Sequence, residues 1–245
     1  MRGYVSWRDN NFESALTDCQ EAIELAVKTH HARAEMIVLL VYVYLKLDND
    51  DLVECEELTR RSLSISRRLG SKLFEAEGYC TLSKIEFLQG NDAEAQKQAI
   101  KALDIYRDSE SGMAFWGPVT LGQLALVTDD PDQRHEALME AEALLSAGSV
   151  SHNHFIFYEI AMEISLGMAT WDEVDRYAQA LQDYAGAEPL RRNDFFIARG
   201  RALANHGRGN RGQATIDELQ RLHEEAERNG LKLALPALKT ALTST

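Results

Sequence analysis

The feature that most constrains this chain is a pattern of small and apolar residues that returns with a period of about forty residues. Ala15, Cys55 and Ala95 fall at matching places, as do Ala22, Ser62 and Ala102, then Ile23, Leu63 and Leu103, then Leu25, Ile65 and Ile105. The register continues less strictly through His135, Val174 and Ala214. A fixed period in this range means one supersecondary unit copied along an axis, each copy too small to bury its own apolar face. Within the units the apolar residues recur at three and four. Leu52, Cys55, Leu58, Leu63 and Ile65 form one such stripe, and Ala95, Ala99, Ala102, Leu103 and Ile105 another. No segment alternates with period two over a strand's length. The expectation is an all-α fold, a right-handed α-solenoid of about six helical hairpins with a C-terminal capping helix, in a single domain over residues 1–245.

Each unit reads as helix A, a tight turn and helix B. The A helices are expected over 31–47, 71–89, 113–127, 151–167 and 189–206. The B helices are expected over 12–29, 51–69, 92–107, 131–147, 171–185 and 211–229. Most A-to-B turns, such as Asp9–Asn11 and Leu47–Asp51, offer Asn, Asp or Thr to cap the orphan N–H groups of the next helix. Asp130-Pro131 is the clearest start, with Pro at the first helical position. Gly70, Gly148, Gly186 and Gly230 stand where a helix can close on a left-handed residue.

Both ends depart from the pattern. The first A helix has only Met1 to Trp7, a stump that reads as too short to cover its own B helix, so either Met1 is a fragment boundary, the favoured reading, or the stump is an improvised cap. Tyr4, Val5 and Trp7 would then be uncovered apolar residues of the kind that mark a homodimer interface. At the other end Leu231, Leu235, Leu238, Ala241 and Leu242 make a short amphipathic helix over 231–243. Pro236 would bend it.

Composition narrows the partners. With 26 Lys and Arg against 39 Asp and Glu the formal charge is −13, which disfavours nucleic acid and anionic membrane surfaces and favours a basic or amphipathic protein or peptide. The first residues lack an apolar signal region, and the apolar run Met36 to Leu45 is about half of what spans a bilayer. Cys19, Cys55 and Cys80 stand singly on helical stripes with no metal spacing, as expected of reduced core thiols in a cytoplasmic protein.

The small residues at hairpin crossings (Ala15, Ala95, Ala102, Ala178, Ala214) and the Gly-Asn/Asp turns resemble the tetratricopeptide repeat, lengthened from 34 towards about forty residues. Several stretches are similar to the C-terminal tetratricopeptide region of bacterial signalling proteins that join a class III adenylate/guanylate cyclase domain to an AAA-type ATPase. They include Phe74-Glu75-Ala76-Glu77, Gly117-Pro118, Ala125 to Pro131, Ser151 to Phe155, and Phe195 to Leu203. The resemblance implies a regulatory scaffold that contacts such domains, without either activity. The chain has no GxxxxGK[ST] phosphate loop and no strand-borne aspartate pair.

Gly207-Arg208-Gly209-Asn210-Arg211-Gly212 spells GxGxxG, but the segment before it is helical where a dinucleotide site needs a strand. It reads as an A-to-B turn in which Arg208 and Arg211 could hold an anion at a helix N-terminus. His152 and His154 lack a third ligand at metal spacing and read as helix-start residues that cap or bond between repeats. No nucleophile elbow or convergent carboxylate pair is visible, so neither an enzyme nor a cofactor is expected. The A helices should line the concave wall of the superhelix, where Lys84, Trp116, Gln123, His154, Tyr158, Asn193 and Arg199 are the candidate ligand-binding groove. The functional expectation is a non-catalytic protein-interaction scaffold in bacterial signalling. The alternatives are a homo-oligomerisation module and a small-molecule effector sensor.

Overall fold

A computed structural model describes residues 2–49, 51–109, 111–186 and 190–244. Met1, Asp50 in the Leu47–Asp51 turn and the expected start of a helix at 189 lie outside the described residues. Among the described residues every regular element is helical. In chain order these are α1 (Arg2–Arg8), α2 (Phe12–Lys28), α3 (Ala32–Asp48), α4 (Leu52–Arg68), α5 (Lys72–Leu88), α6 (Asp92–Arg107) and α7 (Gly112–Val127). Then follow α8 (Pro131–Ser146), α9 (Ser151–Gly167), α10 (Trp171–Ala185), α11 (Arg191–Gly207), α12 (Gln213–Arg228), a 3-10 turn (Lys232–Ala234) and α13 (Leu235–Thr243). The expected A and B helices over 12–229 are therefore found with ends shifted by no more than two residues.

Each helix packs on the next in sequence, and each odd-numbered helix from α1 to α11 also touches the next odd one. Among the described residues the even helices α2 to α12 make no such contacts with one another. The odd helices thus form one continuous layer with the even ones set outside it, an arrangement consistent with an α-solenoid.

The repeat has a physical basis in the even helices. Ala15, Cys55, Ala95 and Val174 are wholly buried at the start of α2, α4, α6 and α10. One turn on, Cys19, Thr59, Ala99, Ala178 and Leu219 are buried, and two turns on, Ser62, Ala102, Ala141, Leu181 and Leu222. In α2, α4 and α6 the residues here are small and let the odd helices approach closely, whereas α10 and α12 carry Val or Leu at several of them. His135 and Ala214 are exposed, so the register read through them is off by one. The in-phase residues are Arg134 and Thr215, both partly buried. Arg134 fits a small-residue position because its guanidinium turns back onto the end of α7, donating to the carbonyls of Ala125 and Thr128.

Helix ends follow local chemistry. Asn11, His31 and Asp130 each accept a backbone N–H as N-caps of α2, α3 and α8. Gly70, Gly148 and Gly230 take positive φ as expected, whereas Gly186 stays right-handed at φ −54°. The C-terminal segment is not one helix. Leu231 leads into the 3-10 turn, and α13 begins only at Leu235, so Pro236 sits in its first turn, where no hydrogen bond is lost.

The ends of the array meet. α1 packs on α3 and α11 as well as on α2, and the 3-10 turn touches α3. The Phe12 ring lies against Gly230, and Arg191 pairs with Asp9 at 3.4 Å. A simple solenoid has contacts between neighbouring units only; this one closes on itself. Trp7, expected to be uncovered, is therefore buried by the far end of its own chain, and of the three N-terminal residues only Val5 remains well exposed.

Gly207 shows how tightly the hairpins pack. A Cβ there would lie 2.5 Å from the Trp171 ring. Gly207→Ala should lower stability by about 1–3 kcal/mol in urea unfolding through this overlap, although Ala is intrinsically the better helix residue. An unchanged or raised midpoint would show that Trp171 swings aside freely.

Candidate functional site

Long charged side chains are rarely buried without partners, and here several are gathered where the two ends of the array meet. Arg192, in the first turn of α11, donates to both oxygens of Asp48 at the end of α3, at 2.6 and 3.2 Å, and to Glu159 of α9 at 3.3 Å. Arg8, the last residue of α1, donates to Glu159 at 3.0 Å and to the amide oxygen of Asn193. The indole N–H of Trp7 donates to Asp48 at 2.7 Å. Arg8 is 1% exposed and Arg192 4%. Their guanidinium groups also stack on rings, Arg8 on Phe155 and Arg192 on Trp7 and Phe196, all within about 5 Å.

Two arginines and two carboxylates make this cluster neutral, the condition for burying it. The two cations are not held alike. Burial works against the charge of both. For Arg192 the nearby Asp48 and Glu159 outweigh it and its pKa stands above the ordinary value. For Arg8 burial wins, with Arg192 adding to it against Glu159, and the pKa is lowered. Arg8 Nε and Asn193 Nδ2, both N–H donors, have no acceptor among the described residues.

A second polar feature lies further along the odd-helix layer. Glu77 of α5 is buried beside Tyr44, Cys80 and Tyr106, with no cation or hydrogen-bond donor against its carboxyl among the described residues. Burial alone pushes its pKa up to about 8. It also pushes the thiols of Cys19 and Cys80 up to about 11 and that of Cys55 to about 12, and all three cysteines are free and buried.

The residues expected to form one groove are distributed. Trp116 is buried among Tyr44, Phe115 and His152, and the half-buried Lys84 lies 5.7 Å from the Tyr44 ring. Because Tyr44 also touches Trp7, these two connect to the charged cluster, where Asn193 belongs outright. His154 instead stacks on Tyr184 at 3.8 Å, with Tyr158 beside it, on the α9–α10 side. His152 turns the other way and bonds the Phe115 carbonyl at 2.7 Å, so the two histidines do not converge. Gln123 is buried with its amide N–H₂ unpartnered. Arg199 ties α11 to the C-terminal segment, pairing with Glu163 and donating to the Ala234 carbonyl. Arg208 is taken up by Asp172 and Asp175, and Arg211 by the Ser244 carbonyl.

Two open clefts border α11. One of about 510 Å³ runs over Ile197, Ala198 and Arg201, between Gln182 of α10 and Glu218 of α12. The other, of about 360 Å³, lies between Asn10, Arg191, Glu225 and Arg228, where the chain ends meet. Among the described residues no three His, Cys, Asp or Glu side chains gather as metal ligands, and no helix is long and apolar enough to cross a membrane.

Arg192→Ala leaves Asp48 and Glu159 buried with one cation too few, and should cost about 3–5 kcal/mol in urea unfolding. Arg221→Ala removes a cation from exposed pairs with Glu218 and Glu225 on α12 and should cost less than about 1 kcal/mol. Equal losses would mean that the buried cluster does not hold the ends together.

Glu77 gives a pH signature. Between pH 4.5, its ordinary pKa, and about 8 the folded chain keeps a proton that the unfolded chain has released. Its contribution to stability is therefore greatest in acid, falls by about 1.4 kcal/mol per pH unit across that window, and levels off above it. Glu77→Gln should have nearly the natural Tm at pH 5 and a clearly higher one at pH 8. A gain independent of pH would contradict this.

Neither a protein-family model nor a curated protein matches this chain, so no relative lends it a function.

Proposed function

We propose that the protein is a non-catalytic interaction scaffold that holds a protein segment against its layer of odd-numbered helices. One observation carries this reading. Among the described residues, every buried Arg, Asp, Glu, His, Asn or Gln sits on an odd-numbered helix: Arg8, Asp48, Glu75, Glu77, Gln123, Asn153, Glu159, Arg192, Asn193, Arg199 and His206. The buried hydroxyl residues Thr59, Ser62 and Ser66, all on α4, are what the even helices bury beside their apolar, Cys and Tyr side chains. Packing alone does not require this division, because burying charge costs stability that apolar residues would not. A wall rich in Arg, Trp and Tyr is the composition that dominates binding energy at interfaces.

In the finer form of this reading the array is a right-handed, tetratricopeptide-like superhelix of about six hairpins. The last of these is capped by α13, and the protein serves bacterial signalling beside cyclase or ATPase domains. The acidic balance of the chain suits a basic or amphipathic partner. Lys84, His154 and Tyr158 are the wall candidates with partly accessible side chains, and Lys84 reaches the charged cluster through the Tyr44 ring.

A photo-crosslinking amino acid placed at Lys84 or Tyr158 should yield a discrete adduct with a protein of the source cell, competed by unlabelled protein. The same group at Val53, exposed on the outer helix α4, should not. Equal adducts at all three positions, or none at 84 and 158, would sink the proposal.

A further inference from the structure

The charged cluster has the features of a recognition site already filled by part of this chain. Its fixed wall consists of Asp48, Phe155, Glu159, Arg192 and Asn193, from α3, α9 and α11. Its contents are two consecutive side chains of α1, Trp7 and Arg8. Without Arg8 the wall holds two carboxylates against one guanidinium, a buried net charge of −1 that calls for a cation. The Phe155 ring, over which the Arg8 guanidinium lies, and the Tyr44 ring, against which Trp7 packs, further select a planar cation next to an aromatic residue.

Resting on the interaction-scaffold reading, we propose that Trp7-Arg8 is an intramolecular stand-in. The wall's other occupant is a partner-protein segment that presents an aromatic residue followed directly by Arg on a helical turn.

Two observations make α1 exchangeable. It has only seven residues, too few to hold a helix without its contacts. Its fit is also incomplete, since among the described residues Arg8 Nε and Asn193 Nδ2 lack an acceptor that another segment could supply. Arg192, by contrast, is held by two carboxylates and belongs to the wall.

The test uses the full chain with Trp7→Ala and Arg8→Ala together, and a fluorescein-labelled peptide of residues 2–11 as the probe. Anisotropy should show the peptide binding the double variant at least tenfold more tightly than the natural chain. Arg8→Ala in the peptide should weaken binding at least tenfold. A folded variant that ignores the peptide, or binds both peptides equally, overturns the proposal. So does a natural chain that forms dimers by trading α1 between copies in sedimentation, because the occupant is then a second copy.

If the double variant fails to fold, hydrogen exchange on the natural chain decides. The amides of Trp7 and Arg8 should exchange at least a hundredfold faster than those of Tyr79 to Leu82, since α1 must open without global unfolding. Equal protection overturns the proposal. Peptide binding without any partner crosslinked at positions 84 or 158 keeps the exchangeable site and overturns the scaffold reading. Crosslinking without peptide binding does the reverse.

Discussion

The placement of Arg192 between Asp48 and Glu159 is the constraint on which the rest of the architecture depends. These three side chains come from α11, α3 and α9, and their pairing brings helices more than a hundred residues apart in the chain into direct contact. In a linear stack of hairpins stability is a sum over neighbours, and either end can loosen without the other. Here the first and last units share a buried, neutral set of charges. An end cannot come away without leaving an uncompensated ion behind. That condition makes the array a closed body and turns α1 from a loose stump into a packed element.

The same constraint shapes the inner face. Once the odd helices face each other across a small distance, their side chains meet instead of lining open space. Trp7, Tyr44 and Trp116 touch in series, and His152 and Phe115 continue the line along α7 and α9. Polar groups are carried into this interior with uneven satisfaction. Arg192 is fully matched, Arg8 partly, and Glu77 has no compensating group among the described residues, so burial pushes its pKa up. Such unevenness is the opposite of what an apolar core shows.

Much of the architecture is legible in the chain. The buried positions of α2, α4, α6 and α10 follow the forty-residue pattern because each hairpin crossing buries the same face of the helix, with small side chains in α2, α4 and α6 and Val or Leu beside Ala in α10. The pattern fails at α8 and α12, where Arg134 and Thr215 occupy the crossing and their exposed neighbours His135 and Ala214 imitate it. The site is legible only in fragments. Asn193 belongs to the expected groove, but Trp7, Arg8, Asp48, Glu159 and Arg192 do not, because their meeting depends on the curvature of the whole array. One local signal is present. Asp48 ends α3 and Arg192 lies in the first turn of α11, each at the helix terminus whose dipole opposes its charge. Two such violations mark residues waiting for a partner elsewhere.

By itself, the sequence determined that this protein is an array of helices, where most of them begin and end, and which faces of the even helices are buried. Those properties come from spacing within a few turns, which the chain carries locally. Only the tertiary structure decided that the ends meet, that Trp7 is covered, and that the charges of α1, α3, α9 and α11 neutralise one another. The physical reason is cumulative geometry. A small rotation at each hairpin leaves no trace in any single repeat, yet over the whole array it sets whether Arg8 faces water or Glu159.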